Sequence, residues 1–152
     1  MKQPAIRFTW SDSWLLYSIG LAAHGGKGAL KDVIMVGDAV NRAVFTPQEL
    51  RRGIAKLTAA GLAGERDGLF WLTEQGGELM RQAQAGTSLW DGVKRLDQLI
   101  GSVPFQEWDQ PNFEDPQWPY PGITDDAVEV ARSQYSAEAE AVLDEFIRKP
   151  GA

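Results

Sequence analysis

Side chains that could contact a nucleic acid are concentrated between residues 46 and 66 of the chain. They comprise one threonine, one glutamine and four cations: Thr46, Gln48, Arg51, Arg52, Lys56 and Arg66. Lysine and arginine neutralise backbone phosphates and release bound counterions, which drives much of DNA binding. A plain solubilising surface is the alternative, because Glu49 and Glu65 lie nearby as ion-pair partners. DNA contact therefore requires that one element presents these side chains together.

A helix over residues 46–60 would present most of them. Thr46 suits the N-cap, Pro47 suits the first helical position, and Glu49 closes a capping box with Thr46. Gly61 suits the end of the helix. Its apolar side begins with a staple from Phe45 and continues through Leu50, Ile54 and Leu57. The opposite side carries Gln48, Arg52, Ala55, Lys56 and Ala59, with Arg51 on the flank.

A β-hairpin and another helix are predicted directly after this helix. Residues 62–66 and 69–72 are two short strand candidates, and Asp67-Gly68 between them suits a two-residue turn that needs positive φ. Thr73 then caps a helix that runs from Glu74 to about Ala85. The hairpin is short, and Arg66 is its only cation.

Two further helices are predicted upstream. Ser11 caps the first, and Trp10 acts as a staple toward Leu15. The stretch Gly25-Gly26-Lys27-Gly28 ends it, and the second helix covers residues 30–43. A phosphate-binding loop is disfavoured for the glycine stretch, because it follows a helix and lacks the required spacing. Lys27 remains a candidate phosphate contact.

The order of these elements resembles the winged helix-turn-helix superfamily over roughly residues 11–85. Leu57-Thr58-Ala59-Ala60-Gly61-Leu62, a hairpin and then Leu72-Thr73-Glu74-Gln75-Gly76 are similar to a signature of MarR-like and PadR-like bacterial transcriptional regulators. The resemblance implies that the helix over 46–60 is the recognition helix and that the hairpin is the wing. It implies that Gln48, Arg51, Arg52 and Lys56 face DNA, and that Arg66 reaches the minor groove or phosphates. C-terminal helices commonly dimerise in that superfamily.

The C-terminal half is predicted to hold two helices joined by an extended segment. Leu89, Val93, Leu96 and Ile100 form the apolar stripe of the first helix. The last helix covers residues 124–149, and its stripe suits a docking face or a short coiled-coil seam: Val128, Ala131, Tyr135, Ala139, Val142 and Phe146. Between the helices, residues 104–122 hold five of the eight prolines. This Pro/Trp-rich segment either lies across its own domain or straps around a second subunit.

The balance of charge changes near residue 86, where the predicted winged-helix elements end. Residues 1–85 carry ten basic and eight acidic side chains, a net charge of +2, whereas residues 86–152 carry five and thirteen, a net charge of −8. We therefore predict a winged-helix domain over residues 1–86 and an acidic helical extension over residues 87–152. The fold class is mainly α with a small β-hairpin.

Several functional classes are disfavoured by what the chain lacks. There is no cysteine, and His24 is the only histidine, so we expect neither a metal site nor a catalytic dyad. The spacing of the carboxylates supports no enzyme, and no cofactor is implied. No apolar run suits a membrane span or a secretion signal, so a cytoplasmic location is expected.

The sequence favours a DNA-binding transcriptional regulator that acts through a winged helix, as a dimer formed by the C-terminal helices. A winged helix used as a protein–protein interaction module is the alternative. A third interpretation is a small-molecule sensor whose pocket lies between the winged domain and the extension. The expected partners are double-stranded DNA and a second copy of the chain, with no membrane.

Overall fold

The computed structural model describes residues 8–86, 88–101 and 123–148, and it describes side chains in the last range as far as residue 141. The elements in chain order are α1 (Trp10–Ala23), β1 (Gly28–Ala29), α2 (Leu30–Asn41), α3 (Pro47–Ala59), β2 (Ala63–Arg66), β3 (Leu69–Leu72), α4 (Glu74–Gln84), α5 (Leu89–Ile100) and α6 (Asp125–Arg148). The described part of the chain is therefore mainly helical, with a small antiparallel sheet. The Pro/Trp-rich segment lies outside the described residues.

Helix α3 begins and ends at the residues that its local signals predict. The Glu49 amide donates to Thr46 Oγ1 at 3.1 Å, and the Thr46 amide donates to Glu49 Oε1 at 3.0 Å. At the other end, Gly61 has a φ of 74°, and the Leu62 amide donates to the Leu57 carbonyl at 2.9 Å. This pair of end structures fixes both the start of α3 and the direction in which the chain leaves it.

The predicted start of α1 at Ser11 was wrong, because the N-cap is Thr9. The Thr9 amide donates to Asp12 Oδ2 at 2.7 Å, so that Asp12 occupies the third helical position. Trp10 is consequently the first residue of the helix and not a staple before it. The Asp12 carboxylate thus accepts from the Thr9 amide, which has no backbone partner within the helix. With Ser11 as the cap, Thr9 would lie outside the helix.

The sheet contains one strand that the sequence analysis treated as loop. Its order is β1-β3-β2, and Gly28 and Ala29 of β1 pair with Phe70 and Leu69 of β3. The predicted hairpin joins β2 to β3, with Asp67 and its neighbouring glycine at φ values of 54° and 80°. A strand of two residues is too short to show an alternating pattern in the sequence. It is held by its pairing with the edge of β3.

Helix α1 lies at the centre of the core. It packs against α2, α3 and α5 and is buried on nearly all sides. Trp14 stacks on Phe45 with ring centroids 3.7 Å apart, and its Nε1 donates to the Gly37 carbonyl at 2.9 Å. The buried indole is therefore both packed and satisfied, which joins α1 to α2 and to the chain before α3.

Helices α5 and α6 dock on the N-terminal elements of the same chain. On α5, Val93, Leu96 and Ile100 are buried as predicted, whereas Leu89 is 48% exposed and lies outside the buried stripe. Helix α6 packs along α2 with Val128 and Ala131 buried, while the side chains of its stripe beyond residue 141 lie outside the description. None of the described helices has the length and apolar character needed to cross a bilayer.

Candidate functional site

Lys56, which the sequence pattern placed on the exposed face of α3, is buried. Its side chain is only 6% exposed, and Nζ lies 2.7 Å from Asp12 Oδ2, which is itself fully buried. Ala55, placed on the same face, is also fully buried. Both predictions of exposure were wrong, because α3 packs against α1 and β2 together and Asp12 supplies a countercharge for the ammonium group.

The close approach of α1 and α3 depends on a glycine one turn before Lys56. A Cβ atom at Gly53 would lie 2.6 Å from Leu15 Cδ2, which is closer than real Cβ contacts. The absence of that atom lets the two helices approach until Lys56 reaches Asp12. This part of α3 is therefore a packed helix crossing, and its lysine is part of the core.

Arg51 is directed toward the C-terminal extension. Its side chain is 11% exposed, and Nη1 donates to Asp125 Oδ1 at 2.7 Å and to the Ile123 carbonyl at 3.3 Å. Ile123 is fully buried, and Asp125 is the first residue of α6. Arg51 therefore holds the start of α6 against α3, in a contact 74 residues apart in sequence.

The other predicted DNA-contacting residues do not form one surface. Gln48 is the one exposed residue of α3, Thr46 is exposed but caps the helix, and Arg52 is half-buried. Arg66 is exposed at the end of β2. The structure thus brings Arg51 and Lys56 into internal contacts and leaves three of the six residues at the surface.

A second exposed cation lies near the hairpin. Lys27 Nζ lies 5.1 Å from the centroid of the Trp71 ring, a cation–π contact. His24, the lone histidine, is exposed and ends α1 in a left-handed conformation with a φ of 48°. Among the described residues, no three histidine, aspartate or glutamate side chains are grouped as metal ligands.

An open apolar groove on the described surface was not predicted. A groove of about 600 Å³ lies between the end of α2 and the start of α5, and its lining defines the α2–α5 groove: Ala39, Val40, Asn41, Arg42, Ser88, Leu89 and Trp90. Leu89 is 48% exposed and Trp90 is 46% exposed. This groove lies between the N-terminal domain and the extension, where the sequence analysis located the pocket of a possible sensor. Its shallow form suits an extended peptide better than an enclosed small molecule.

Trp90 is held in place on the rim of this groove. The Trp10 ring meets it edge-on with centroids 5.6 Å apart, and Lys94 Nζ lies 5.8 Å from its centroid. Asp91 pairs with Lys94 at 3.3 Å, and hydrogen bonds from Ser88 and then from Lys94 lower the pKa of the Asp91 carboxyl group. The indole is therefore exposed on one side yet oriented by its neighbours.

Arg42 supplies the charge at the other side of the groove. It ends α2 with a φ of 52°, and its amide donates to the Asp38 carbonyl at 2.7 Å. Its side chain is exposed, and no ion pair joins it to a carboxylate within the described ranges. The Ser88 cap sets Leu89 and Trp90 in the first turn of α5, on their side of the groove.

A smaller cavity of about 340 Å³ lies between the end of α1 and α4, and Gly20, Gly25, Leu72, Met80, Arg81 and Gln84 are among its lining residues. Arg81 pairs with Glu78 on the same helix. The charged side chains in its lining are one acid and one cation, Glu74 and Arg81.

Comparison of the chain with protein-family models, with curated proteins and with solved structures found no match in any of the three.

Proposed function

We propose that this chain is a winged-helix module that binds another protein through the α2–α5 groove. The winged-helix assignment is supported by the order α1-β1-α2-α3-β2-β3 and by a sheet in which β3 lies between β1 and β2. It is also supported by the Asp67-Gly68 turn, which makes a compact wing. The assignment of function then depends on which surface of such a module is open.

The proposed recognition helix has little free surface for a DNA groove. Two of its three cations make internal ion pairs, Lys56 with Asp12 and Arg51 with Asp125. DNA-reading helices insert an exposed face into the major groove, and positively charged side chains on that face account for much of the affinity. The commitment of these cations to the protein's own carboxylates therefore favours a partner other than DNA.

The observation that carries the proposal is the exposed pair Leu89 and Trp90 beside an apolar groove. Tryptophan is enriched among the residues that dominate protein–protein affinity, especially where it is well packed and close to a pocket. Trp90 lines the groove, and Trp10 and Lys94 orient its ring. A solvated indole in this position gains apolar burial when a partner covers it.

Site-specific photo-cross-linking in cells that produce the protein would test the proposal. A photoreactive side chain at Ala39, which lies exposed in the groove, should yield one discrete cross-linked species. The same probe at Gln82, exposed on α4, is the matched control and should not yield that species. Trp90→Ser should remove the species while the melting temperature stays near that of the parent. An identical pattern from Ala39 and Gln82, or no product from either, would argue against the groove.

A DNA-binding regulator is the second candidate, and one observation favours it. Gln48 and Arg66 are exposed on α3 and β2, the elements that a winged helix uses against DNA, and Lys27 adds an exposed cation near the hairpin. Selection on random duplexes at low salt, followed by Arg66→Ala, would detect such binding. A regulator should show an enriched sequence and an affinity that falls steeply as salt rises.

A further inference from the structure

We infer that the α2–α5 groove binds the Pro/Trp-rich segment, residues 104–122, of a second copy of this chain. The inference rests on the proposed function, because it names the partner of the same groove. Each copy would then supply one groove and one segment, and a two-fold arrangement would close without a third component. The chemistry of the groove and the composition of the segment match.

The apolar composition of the segment matches the groove. It contains five prolines and five aromatic residues: Phe105, Trp108, Phe113, Trp118 and Tyr120. Proline-rich chains bind to grooves that present aromatic side chains, since the extended chain loses little entropy on binding. The groove offers an oriented indole from Trp90, an exposed Leu89 and the apolar end of α2.

The charges of the two parts are also complementary. The segment has four acidic residues and no basic one: Glu107, Asp109, Glu114 and Asp115. Arg42 lines the groove on one side, and Lys94 and Arg95 follow Trp90 on the next turn of α5, just beyond the groove lining. Asp91 on the first turn of α5 pairs with Lys94, so these two charges offset each other and Arg42 and Arg95 are the cations that remain. An acidic segment therefore meets a cationic rim, and complementary charges of this kind improve partner choice and association rate.

The position of the segment in the chain makes exchange between copies feasible. Its flanking residues Ile100 and Ile123 are both buried in their own domain. The 21 residues between Gly101 and Ile123 span at most about 70 Å when extended, whereas α5 is about 18 Å long. A segment fixed at both ends can therefore reach a neighbouring groove. The described residues leave the groove open in one copy, with Leu89 and Trp90 about half exposed.

Disulfide trapping can test the exchange cleanly, because the chain contains no cysteine. One full-length variant would carry Ala39→Cys in the groove, and another would carry Gln110→Cys in the segment. After the two are mixed and equilibrated, oxidation should give a cross-linked species of twice 16.7 kDa that contains both chains. Gln82→Cys, at an exposed position of α4, replaces Ala39→Cys in the matched control and should give little product.

Two further variants connect the product to the groove. Adding Arg42→Glu or Trp90→Ser to the Ala39→Cys chain should lower the yield about tenfold or more, as for residues that dominate an interface. Higher salt should lower the yield of the parent pair, because the charges are exposed. Light scattering on the protein without cysteine substitutions should give a dimer, and Trp90→Ser should shift it toward monomer.

Each alternative outcome has a distinct meaning. A disulfide that forms within one chain carrying both Ala39→Cys and Gln110→Cys, with no cross-linked dimer, would show that a chain's own segment fills its groove and would overturn the exchange. A groove-dependent photo-cross-link to a different protein would also overturn this inference but would leave the proposed function standing. The absence of any groove-dependent product in either experiment would remove both.

Discussion

Lys56 is a cation whose burial is stabilised by a buried carboxylate. The lysine lies among apolar residues of α3, and Asp12, 44 residues earlier in the chain, supplies a buried countercharge 2.7 Å from its Nζ. The spacing of apolar residues along α3 predicts that a lysine between them is exposed. It contains no information about the side chains of α1 that contact α3. The capping box of the same helix was predicted because all of its members lie within four residues. Local hydrogen bonds were therefore predictable from sequence, and the long-range ion pair was not.

Loss of one partner of this buried pair should be costly. We expect Lys56→Ala to lower the free energy of unfolding by about 3 kcal/mol or more, since Asp12 would remain buried without its countercharge. Denaturant unfolding would measure the change, with Lys94→Ala, at an exposed lysine of α5, as a control of small effect. The double variant Asp12→Asn with Lys56→Met should recover part of the loss. Equal stability of Lys56→Ala and the parent would mean that the lysine is solvated.

Two adjacent glycines in α4 should respond in opposite directions. A Cβ atom at Gly76 would lie 2.0 Å from the Leu62 carbonyl oxygen, whereas one at Gly77 would meet only the end of the Arg81 side chain at 3.8 Å. We expect Gly76→Ala to destabilise the protein by more than about 2 kcal/mol, because backbone must move. Gly77→Ala should instead stabilise it by up to about 1 kcal/mol through helix propensity. Thermal melts of the pair would test this, and equal shifts would contradict it.

At the scale of elements, several boundaries were predicted from a local cap or turn. The starts of α3, α4 and β3 lie at the predicted residues, whereas the edge strand β1 was missed and α1 begins two residues early. The docking of α6 on α2 depends on tertiary partners that no local signal specifies. Tyr135 Oη donates to Asp38 Oδ2 at 2.5 Å, and Lys31 Nζ lies 2.5 Å from Glu138 Oε1. These polar contacts set the register of α6 along α2.

The Tyr135 contact should make the docking of α6 sensitive to alkaline pH. The hydrogen bond to Asp38, followed by burial, raises the pKa of the Tyr135 phenol above its ordinary value of 10.0. The bond therefore stabilises the folded state fully below pH 10, and this contribution disappears as pH rises through the higher folded pKa.

Tyr135→Phe should accordingly lower stability by about 1 kcal/mol near neutral pH, the usual net contribution of a hydrogen bond. The difference in melting temperature between the two proteins should shrink above about pH 10. Tyr17, whose buried phenol also has a raised pKa, is present in both proteins and cancels in the comparison. A difference that stays constant up to pH 11 would show that the Tyr135 bond does not hold α6.

At the scale of the whole molecule, the acidic extension packs against a slightly basic domain and uses part of its charge. Residues 1–85 have a net charge of +2 and residues 86–152 have a net charge of −8. Arg51 and Lys31 of the N-terminal domain both pair with carboxylates of α6. The difference in net charge between the two parts was visible in the sequence. Which basic side chains would pair with carboxylates of α6 depended on where α6 packs. The α2–α5 groove escaped prediction for the same reason, since two distant segments form it.

The ion pair between Arg51 and Asp125 leads to a prediction that separates the two candidate functions. We expect Asp125→Asn to weaken the contact that holds Arg51 while the packing of α3 is kept, because Asp125 is exposed at the start of α6. For a protein-binding module, we expect neither the parent nor Asp125→Asn to bind random duplex DNA measurably at about 150 mM salt, where weak phosphate contacts are screened. Fluorescence anisotropy with a labelled duplex library would measure this, and circular dichroism would verify that the variant is folded. If Asp125→Asn instead binds with a steep salt dependence that Arg51→Ala then removes, the extension covers a DNA-binding surface, and the regulator becomes the better assignment.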